Sequence, residues 1–241
     1  MKLLILSDIH GNKTALESVF SYIRNLKLDS VALLGDLIDY GPHSNEVVEM
    51  VASLKIPIVC NIFGNHEDAI INDNYGRFSS QRGIDCAKKT KALLTEHSKN
   101  YILTEMTKNG KSEFLIDEKK FLAVHGTIND IYWGKFDCSN DLSPYSSYDV
   151  VLMGHSHRPI FFEKFFTSEN VNTRNQKKTI FINPGSVGQP RNINPYSQFV
   201  IFDTNTENCE FIKLKYNYAE EQKSFTSNVD EFYKTRLKFG V

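Results

Sequence analysis

Five short turns in this chain place carboxylates, imidazoles and an amide oxygen close together in sequence: Asp8-Ile9-His10, Gly35-Asp36, Gly64-Asn65-His66-Glu67, His125-Gly126 and Gly154-His155-Ser156-His157. Five of the seven histidines fall in these turns; His43 and His97 do not. A lone histidine is most often a hydrogen-bonded structural residue, so no single turn decides anything. Five such turns together read as a ligand set. It offers imidazole, carboxylate and amide oxygen but no thiolate, which suits manganese, iron, zinc or nickel better than the all-oxygen preferences of calcium and magnesium. Asp36 reads as a carboxylate shared by two divalent ions, manganese first among them, standing roughly 3.5 Å apart. Such a pair holds a bridging water as hydroxide near neutral pH and neutralises phosphate oxygens as charge builds, which suits in-line attack on a phosphate ester. The leaving oxygen needs a proton. His66 is the expected donor, because it cannot easily share ligation with Asn65 beside it. Glu67 is expected to hold the His66 ring in one tautomer, with a first-turn helix acid as its compatible second reading.

Chemistry of this kind needs rigid elements behind each turn. Lys2 to Leu6, Ser30 to Leu34, Ile56 to Cys60, Phe121 to Val124 and Val150 to Met153 are short apolar runs that read as buried strands. Each delivers one of the turns beyond its carboxyl end, where α/β sheets place their sites. Leu16, Val19, Phe20, Ile23 and Leu26 stand at helical spacing, with Asn12 placed to cap that helix. Val47, Val48, Val51 and Leu54 form a second helical face after Pro42 to Ser44. The repeated order strand, loop, helix predicts a mainly parallel sheet covered by helices. A polar stretch at about 68–106 reads as helical, either a small cap over the main body or a surface helix pair.

From Lys111 onward the texture is strand-like. Phe114 to Ile116 and Phe121 to Val124 suggest a hairpin, and further strands are expected at Ile160 to Phe166, Thr179 to Ile182, Gln198 to Asp203 and Cys209 to Lys215. Thr167 to Lys178 is a polar hairpin tip. Phe161, Phe162, Phe165 and Phe166 crowd one segment and fit either an interface or a core strand. In the charged tail, Val229, Phe232, Tyr233 and Leu237 are spaced as one helical face. The chain is read as a single domain over 1–241.

With 241 residues, 41% of them hydrophobic, the chain can build a substantial core. A net charge of -1 provides no footprint for long nucleic acid or an anionic membrane, so any anionic substrate must be attracted locally. Cys60, Cys86, Cys138 and Cys209 are scattered without a Cys-x-x-Cys pair and read as free thiols in a reducing compartment. The apolar start of the chain is too short for a signal peptide, and no stretch reaches membrane-helix length. A cytoplasmic location is the expectation. The oligomeric state is not readable.

Taken as a set, Ser7-Asp8-Ile9-His10-Gly11-Asn12, Gly35-Asp36-Leu37-Ile38-Asp39-Tyr40-Gly41-Pro42, Gly64-Asn65-His66-Glu67, Val124-His125-Gly126, Gly154-His155-Ser156-His157 and Asn183-Pro184-Gly185-Ser186-Val187-Gly188-Gln189-Pro190-Arg191 resemble the calcineurin-like metallophosphoesterases. The resemblance implies an α/β (mixed α+β) four-layer sandwich, two mixed β-sheets flanked by helices, with a dinuclear metal site. It implies one metal held by Asp8, His10, Asp36 and His157. The other is held by Asp36, Asn65, His125 and His155, with His66 in the place of the proton donor. The late loop looks like that of the small bacterial and archaeal phosphodiesterase branch. Gly185 and Ser186 there could offer backbone N–H groups to a phosphate, and Arg191 a charge-assisted contact.

Two departures bear on the substrate. Where protein phosphatases and symmetrical diadenosine tetraphosphatases of this family carry arginines, this chain has Tyr40 and Phe63. A dianionic monoester loses its best partners thereby, and a diester needs them less. The expected function is therefore a phosphodiesterase acting on a small phosphate ester, a nucleotide among the candidates. Dinucleoside polyphosphate or monoester hydrolysis is the nearer alternative. A non-catalytic binding scaffold of the same fold and a nuclease are the more distant ones.

Overall fold

A computed structural model describes residues 1–241 except 173, 175, 227 and 228. The strands are β1 (Lys2–Leu6), β2 (Ser30–Leu33), β3 (Ile58–Asn61), β4 (Lys111–Ile116), β5 (Lys119–Val124), β6 (Val150–Met153), β7 (Pro159–Phe165), β8 (Lys178–Pro184), β9 (Ser197–Asp203) and β10 (Cys209–Leu214). The helices are α1 (Lys13–Ile23), α2 (Ser44–Ala52), α3 (Asn65–Asn72), α4 (Gln81–Leu93), α5 (Glu96–Glu105), α6 (Tyr218–Lys223) and α7 (Glu231–Phe239).

Two five-stranded mixed sheets result, in the orders β10-β9-β1-β2-β3 and β4-β5-β6-β8-β7. The site-bearing strands run parallel to one another within each sheet, β1 to β2 and β2 to β3 in one, β5 to β6 in the other. The two-residue period of a strand explains why these runs are apolar throughout. Leu3, Ile5, Ala32 and Leu34 meet Phe121, Ala123, Val150 and Leu152 of the second sheet in one buried cluster. Their neighbours Leu4, Leu6, Val31 and Leu33 turn the other way, onto α1, α2 and α5 through Leu16, Val19, Val48 and Ile102. Leu122, Val124, Val151 and Met153 fill the outer side of the second sheet, under Tyr145, Tyr148 and Phe136 of the irregular segment after β5. Both faces of each central strand are therefore covered, and only the strand ends are left to carry polar chemistry.

The sequence reading differs from the structure in two places outside the site. Leu26 lies past the end of α1 and is 42% exposed. The tail forms two helices, not one face. Asp230 caps α7 by accepting from Phe232 N, so Val229 stands outside the helix, Tyr233 and Leu237 point inward, and Phe232 is exposed. The hairpin tip between β7 and β8 includes residues 173 and 175, which lie outside the described residues. The phenylalanines of β7 split by strand period: Phe162 packs on the second sheet, while Phe161 and Phe165 are about half exposed on the sheet's edge. The 68–106 stretch is helical, comprising most of α3 with α4 and α5.

The tail is fastened by one buried carboxylate. Glu221 on α6 accepts from Thr14 N and Oγ1 at 3.0 and 2.6 Å, while His43 Nδ1 stands 2.8 Å from its other oxygen. That hydrogen bond, against partial burial, raises the His43 imidazolium above its ordinary 6.5. A raised folded value means that this link contributes fully below the unfolded pKa and is lost as pH rises through the folded one. Melting temperature should therefore fall across that window, and His43→Asn should flatten the fall. An unchanged pH slope in the variant would remove His43 from the account.

Candidate metal centre

The turns that carry the chemistry are folded against backbone preference. Asp8, His10, Asp36, His155 and His157 all have φ between 52 and 61°, the left-handed region that residues with a side chain rarely enter. Each such residue costs roughly 1–3 kcal/mol, and a fold keeps them when neighbouring contacts over-determine the turn. Those contacts are visible. Asp8 N donates to Gly35 C=O, His10 N to Asp36 C=O and Gly11 N to Leu37 C=O, lacing the first turn to the second. The late loop clamps both: Val187 N and Gly188 N donate to the carbonyls of Ser7 and Asp8, and Ser186 Oγ donates to Asp8 C=O. Gly64 sits where a Cβ would overlap Asp36 Oδ1 and the Asp36 backbone N. Gly64→Ala should lower stability by about 1–3 kcal/mol through overpacking. The displaced Asp36 should also cost bound metal, read by urea unfolding and metal analysis of the same sample.

The ligand atoms converge. One oxygen or nitrogen from each of Asp8, His10, Asp36 and His157 lies within 4.8 Å of the others, all four residues buried. On the far side of Asp36, His125 Nε2 stands 3.3 Å from Asp36 Oδ2 and 3.0 Å from Asn65 Oδ1. His155 Nδ1 is 2.9 Å from the same Asn65 oxygen.

The protonation pattern shows what these atoms lack. His157 Nδ1 faces Gln189 C=O at 2.6 Å, His125 Nδ1 faces Leu34 C=O at 2.6 Å, and His10 Nδ1 faces Ile38 C=O at 3.3 Å. A carbonyl only accepts, so in each ring Nδ1 carries a proton and Nε2 is the nitrogen that faces the centre, as a lone pair when the ring is neutral. Those lone pairs then face other acceptors. His10 Nε2 and His157 Nε2 are 3.2 Å apart, and His125 Nε2 faces Asn65 and Asp36 oxygens. Asp8 Oδ1 is buried without a hydrogen bond, with His157 Nε2 3.1 Å away. Acceptors converging without donors are what divalent cations satisfy, and this donor set fits them.

Titration follows the same demand for positive charge. Burial opposes ionisation of Asp8 and Asp36, yet the facing imidazoles, His157 for Asp8 and His125 for Asp36, hold both carboxyls well below the usual range. Burial would also lower His125, but Asp36 outweighs it and raises that imidazolium to about 9. Burial prevails at His10, and at His155, which falls to about 3.

His66 departs from the sequence expectation in its partner. Its Nδ1 lies 2.6 Å from Asp39 Oδ2, and Glu67 does not hold the ring. Glu67 is the third residue of α3, and its carboxylate folds back over the helix start. There it accepts from Gly64 N and Asp36 N on one oxygen and from Leu37 N and Ile38 N on the other. Burial and the charge of Asp36 push its carboxyl up to about 7 against those four donors. Asp39 is fixed in turn by Thr90 Oγ1 of α4 at 2.7 Å on its other oxygen. The motif reading quoted Asp39 but gave it no role. Its spacing from Asp36, an acid three residues after the first in one turn, was the available signal.

A cavity of about 290 Å³ opens onto this centre. Asp36, Asn65, His66, His155 and His157 line its floor, while Tyr40, Phe78, Trp133, Arg77, Lys135 and Arg191 supply the walls. Trp133 stands edge-on to Phe78 and to His155, with Arg77 over its ring and paired bidentately with Asp130. Sequence reasoning named Tyr40 and Arg191 among these walls and missed Phe78, Trp133, Arg77 and Lys135, which lie in segments without periodicity. Gly185 and Ser186 are the other correction. Neither lines the cavity, Gly185 N donates to Asn183 Oδ1, and Ser186 is buried against the Asp8 turn. Both brace the loop. Phe63 is wholly buried.

Comparison with known proteins agrees in kind. Residues 1–207 match the family described as the calcineurin-like phosphoesterase superfamily domain. The chain is 29% identical over 253 residues to the uncharacterized protein MJ0912 of Methanocaldococcus jannaschii, covering 98% of this chain and 97% of that one. It is 26% identical over 198 residues to the phosphodiesterase YfcE of Escherichia coli, covering 82% of this chain and 85% of the relative. Among solved structures, a metallophosphoesterase from Sphaerobacter thermophilus superimposes with a TM-score of 0.75 at 26% identity, with 100% of both chains covered.

Proposed function

The chain belongs to the calcineurin-like phosphoesterase superfamily, and on that premise we propose that it is a phosphodiesterase with two divalent metals, manganese first among them, acting on a small nucleotide-like ester. The observation that carries the reading is the set of acceptor atoms closing around Asp36 from both sides. Asp8, His10, Asp36 and His157 would hold one ion, and Asp36, Asn65, His125 and His155 the other. Bound there, divalent cations supply Lewis acidity for the phosphoryl oxygens and make a water nucleophilic near neutral pH.

The chain's own part is positioning and proton transfer. His66 turns Nε2 toward the cavity floor, 4.0 Å from Asp36 Oδ2, with Nδ1 anchored on Asp39. Burial works against its imidazolium, but the charges of Asp36 and Asp39 raise it, so a proton is available for the leaving oxygen. Asp39 orients that ring and stabilises its charge. Glu67 ties the Gly64 and Asp36 turns into one body, so acid and ligands keep their spacing.

The diester preference rests on the walls. Tyr40 occupies a place where a guanidinium would clamp a dianionic monoester, and the aromatic pair Phe78 and Trp133 suits a nucleobase. The relative named as a phosphodiesterase, YfcE, points the same way. Turnover of bis(p-nitrophenyl) phosphate, with and without added manganese, tests this. Metal-stimulated release exceeding that from p-nitrophenyl phosphate is expected, and folded protein with no stimulated release would return the chain to the scaffold reading.

A further inference from the structure

The match to the phosphoesterase domain ends at residue 207, and α7 lies beyond it. The helix is nevertheless seated beside the cavity. Gln222 Nε2 of α6 donates to Lys234 C=O at 2.7 Å, the Arg82 guanidinium of α4 stands 4.1 Å from the centre of the Phe232 ring, and Ile193 N donates to Gly240 C=O at 2.8 Å. Held by these three contacts, α7 lays the buried Tyr233 onto the wall residue Tyr40, ring on ring, with centroids 4.3 Å apart at 23°.

Tyr40 needs such a partner. With Asp39 it makes two consecutive left-handed residues, at φ 62 and 74°. A bulky side chain keeps that backbone only where its surroundings over-determine it. Asp39 is tied by Ser44 Oγ at its N–H and by Thr90 Oγ1 at its carboxylate. The Tyr40 ring is wedged among rings instead: besides Tyr233 it meets His66 at 4.3 Å and 68°, and His10 at 4.7 Å and 41°. Tyr40 therefore touches both a candidate metal ligand and the acid, and Tyr233 covers its face.

The His66 ring depends on such contacts for its plane. Its Nδ1 is pinned to Asp39 Oδ2 at 2.6 Å, and a single hydrogen bond fixes one atom of a ring without fixing the tilt of the rest. The tilt decides where Nε2 points. Edge-to-face packing by Tyr40, and by Phe78 at 5.1 Å and 81°, supplies that constraint. A general acid must come within about 3 Å of the atom it protonates, so a small tilt costs rate without costing the ring its charge. A buried tyrosine on a tail helix also has an ordinary use as an apolar anchor. Anchoring alone needs buried area and no particular ring geometry, and the α7 main chain is already fastened at Lys234 and Gly240.

We propose that Tyr233 is a positioning residue for the general acid: acting through Tyr40, it fixes the plane of the His66 ring, so that a helix outside the matched domain sets how well a proton reaches the leaving oxygen. This rests on the phosphodiesterase reading of the neighbouring centre. The catalytic group remains His66, and α7 contributes only the constraint on its aim.

Two readouts on the full chain test the brace. In zinc-loaded protein, which is diamagnetic, the Cε1–H proton resonance of His66, identified by its loss in His66→Ala, should shift and broaden in Tyr233→Leu. It should stay in place in Tyr233→Phe, which keeps the ring. In manganese-loaded protein, Tyr233→Leu should lower kcat/KM for methyl phenyl phosphate about tenfold more than for methyl p-nitrophenyl phosphate, with KM nearly unchanged, because the poorer leaving group needs the proton more. Tyr233→Phe should restore the wild-type ratio. In a His66→Ala background the leucine substitution should leave the ratio where it is, since an effect carried by the ring has nothing left to act on. Should the leucine variant melt below the assay temperature, Tyr233→Met, unbranched and flexible, takes its place. The inference is overturned by an unmoved His66 resonance, by a fall equal for the two esters, or by one that persists without His66, since each assigns Tyr233 to holding the fold alone. No manganese-stimulated turnover in the wild type, with the resonance shift intact, would instead defeat the phosphodiesterase reading and leave the brace on the His66 ring standing.

Discussion

Asp36→Ala is expected to leave the purified protein with less than one equivalent of bound metal, against two for the wild type, and to lower kcat/KM by more than about a thousandfold. The size of the effect follows from position. Oδ2 of Asp36 lies 3.5 Å from His10 Nε2 on one side and 3.3 Å from His125 Nε2 on the other, between the two ligand groups. Removing it leaves either group with imidazoles and at most one carboxylate or amide oxygen, a set of lower charge and incomplete shape for a divalent ion. Oδ1 also accepts from His66 N at 2.9 Å, so the alanine variant loosens the acid as well. Asp36→Asn separates the two effects, because its amide oxygen can keep that bond while the charge is gone. If the asparagine variant binds two full equivalents with unchanged affinity, the shared-ligand role is wrong.

The strand framework was legible because most site-bearing strands are buried on both faces, which writes an apolar run into the sequence ending at a polar turn. Lys2–Leu6 and Val150–Met153 show this plainly. The turns were legible as chemistry because histidine and aspartate are rare company for the ends of such strands. What could not be read is what depends on distance in three dimensions. The partner of His66 is one case. Glu67 is adjacent in sequence, but helix geometry directs it back to four backbone N–H groups, leaving Asp39, 27 residues earlier, to meet the ring. The glycine-rich late loop is another. Its backbone is consumed in holding Asp8 in a left-handed conformation, a need invisible until the turn is built. The wall residues Phe78 and Trp133 come from aperiodic segments, where neither a period of two nor of 3.6 marks a facing direction.

His66→Ala should keep its metal and lose activity in proportion to how much the leaving group needs a proton. The ring is not positioned as a ligand: it stands outside the Asp8, His10, Asp36 and His157 cluster, and Nδ1 is occupied by Asp39. Metal analysis of the variant should therefore match the wild type. Nitrophenolate departs without help, so bis(p-nitrophenyl) phosphate hydrolysis should fall modestly. An ester with an alkoxide leaving group should lose about a hundred- to ten-thousandfold, the range general-acid catalysis supplies. Asp39→Asn should give the same pattern at smaller amplitude, because the ring stays in place while its charge loses a stabilising partner. Thr90→Val tests the support one step further out, since it removes the hydroxyl that fixes the other Asp39 oxygen and leaves the metal ligands untouched. The slope of log kcat/KM against leaving-group pKa separates the possibilities. A steeper slope in all three variants, ordered His66→Ala, Asp39→Asn, Thr90→Val, is the signature of a proton relayed through one positioned ring. Parallel lines would mean that these residues only shape the cavity and that the proton comes from elsewhere.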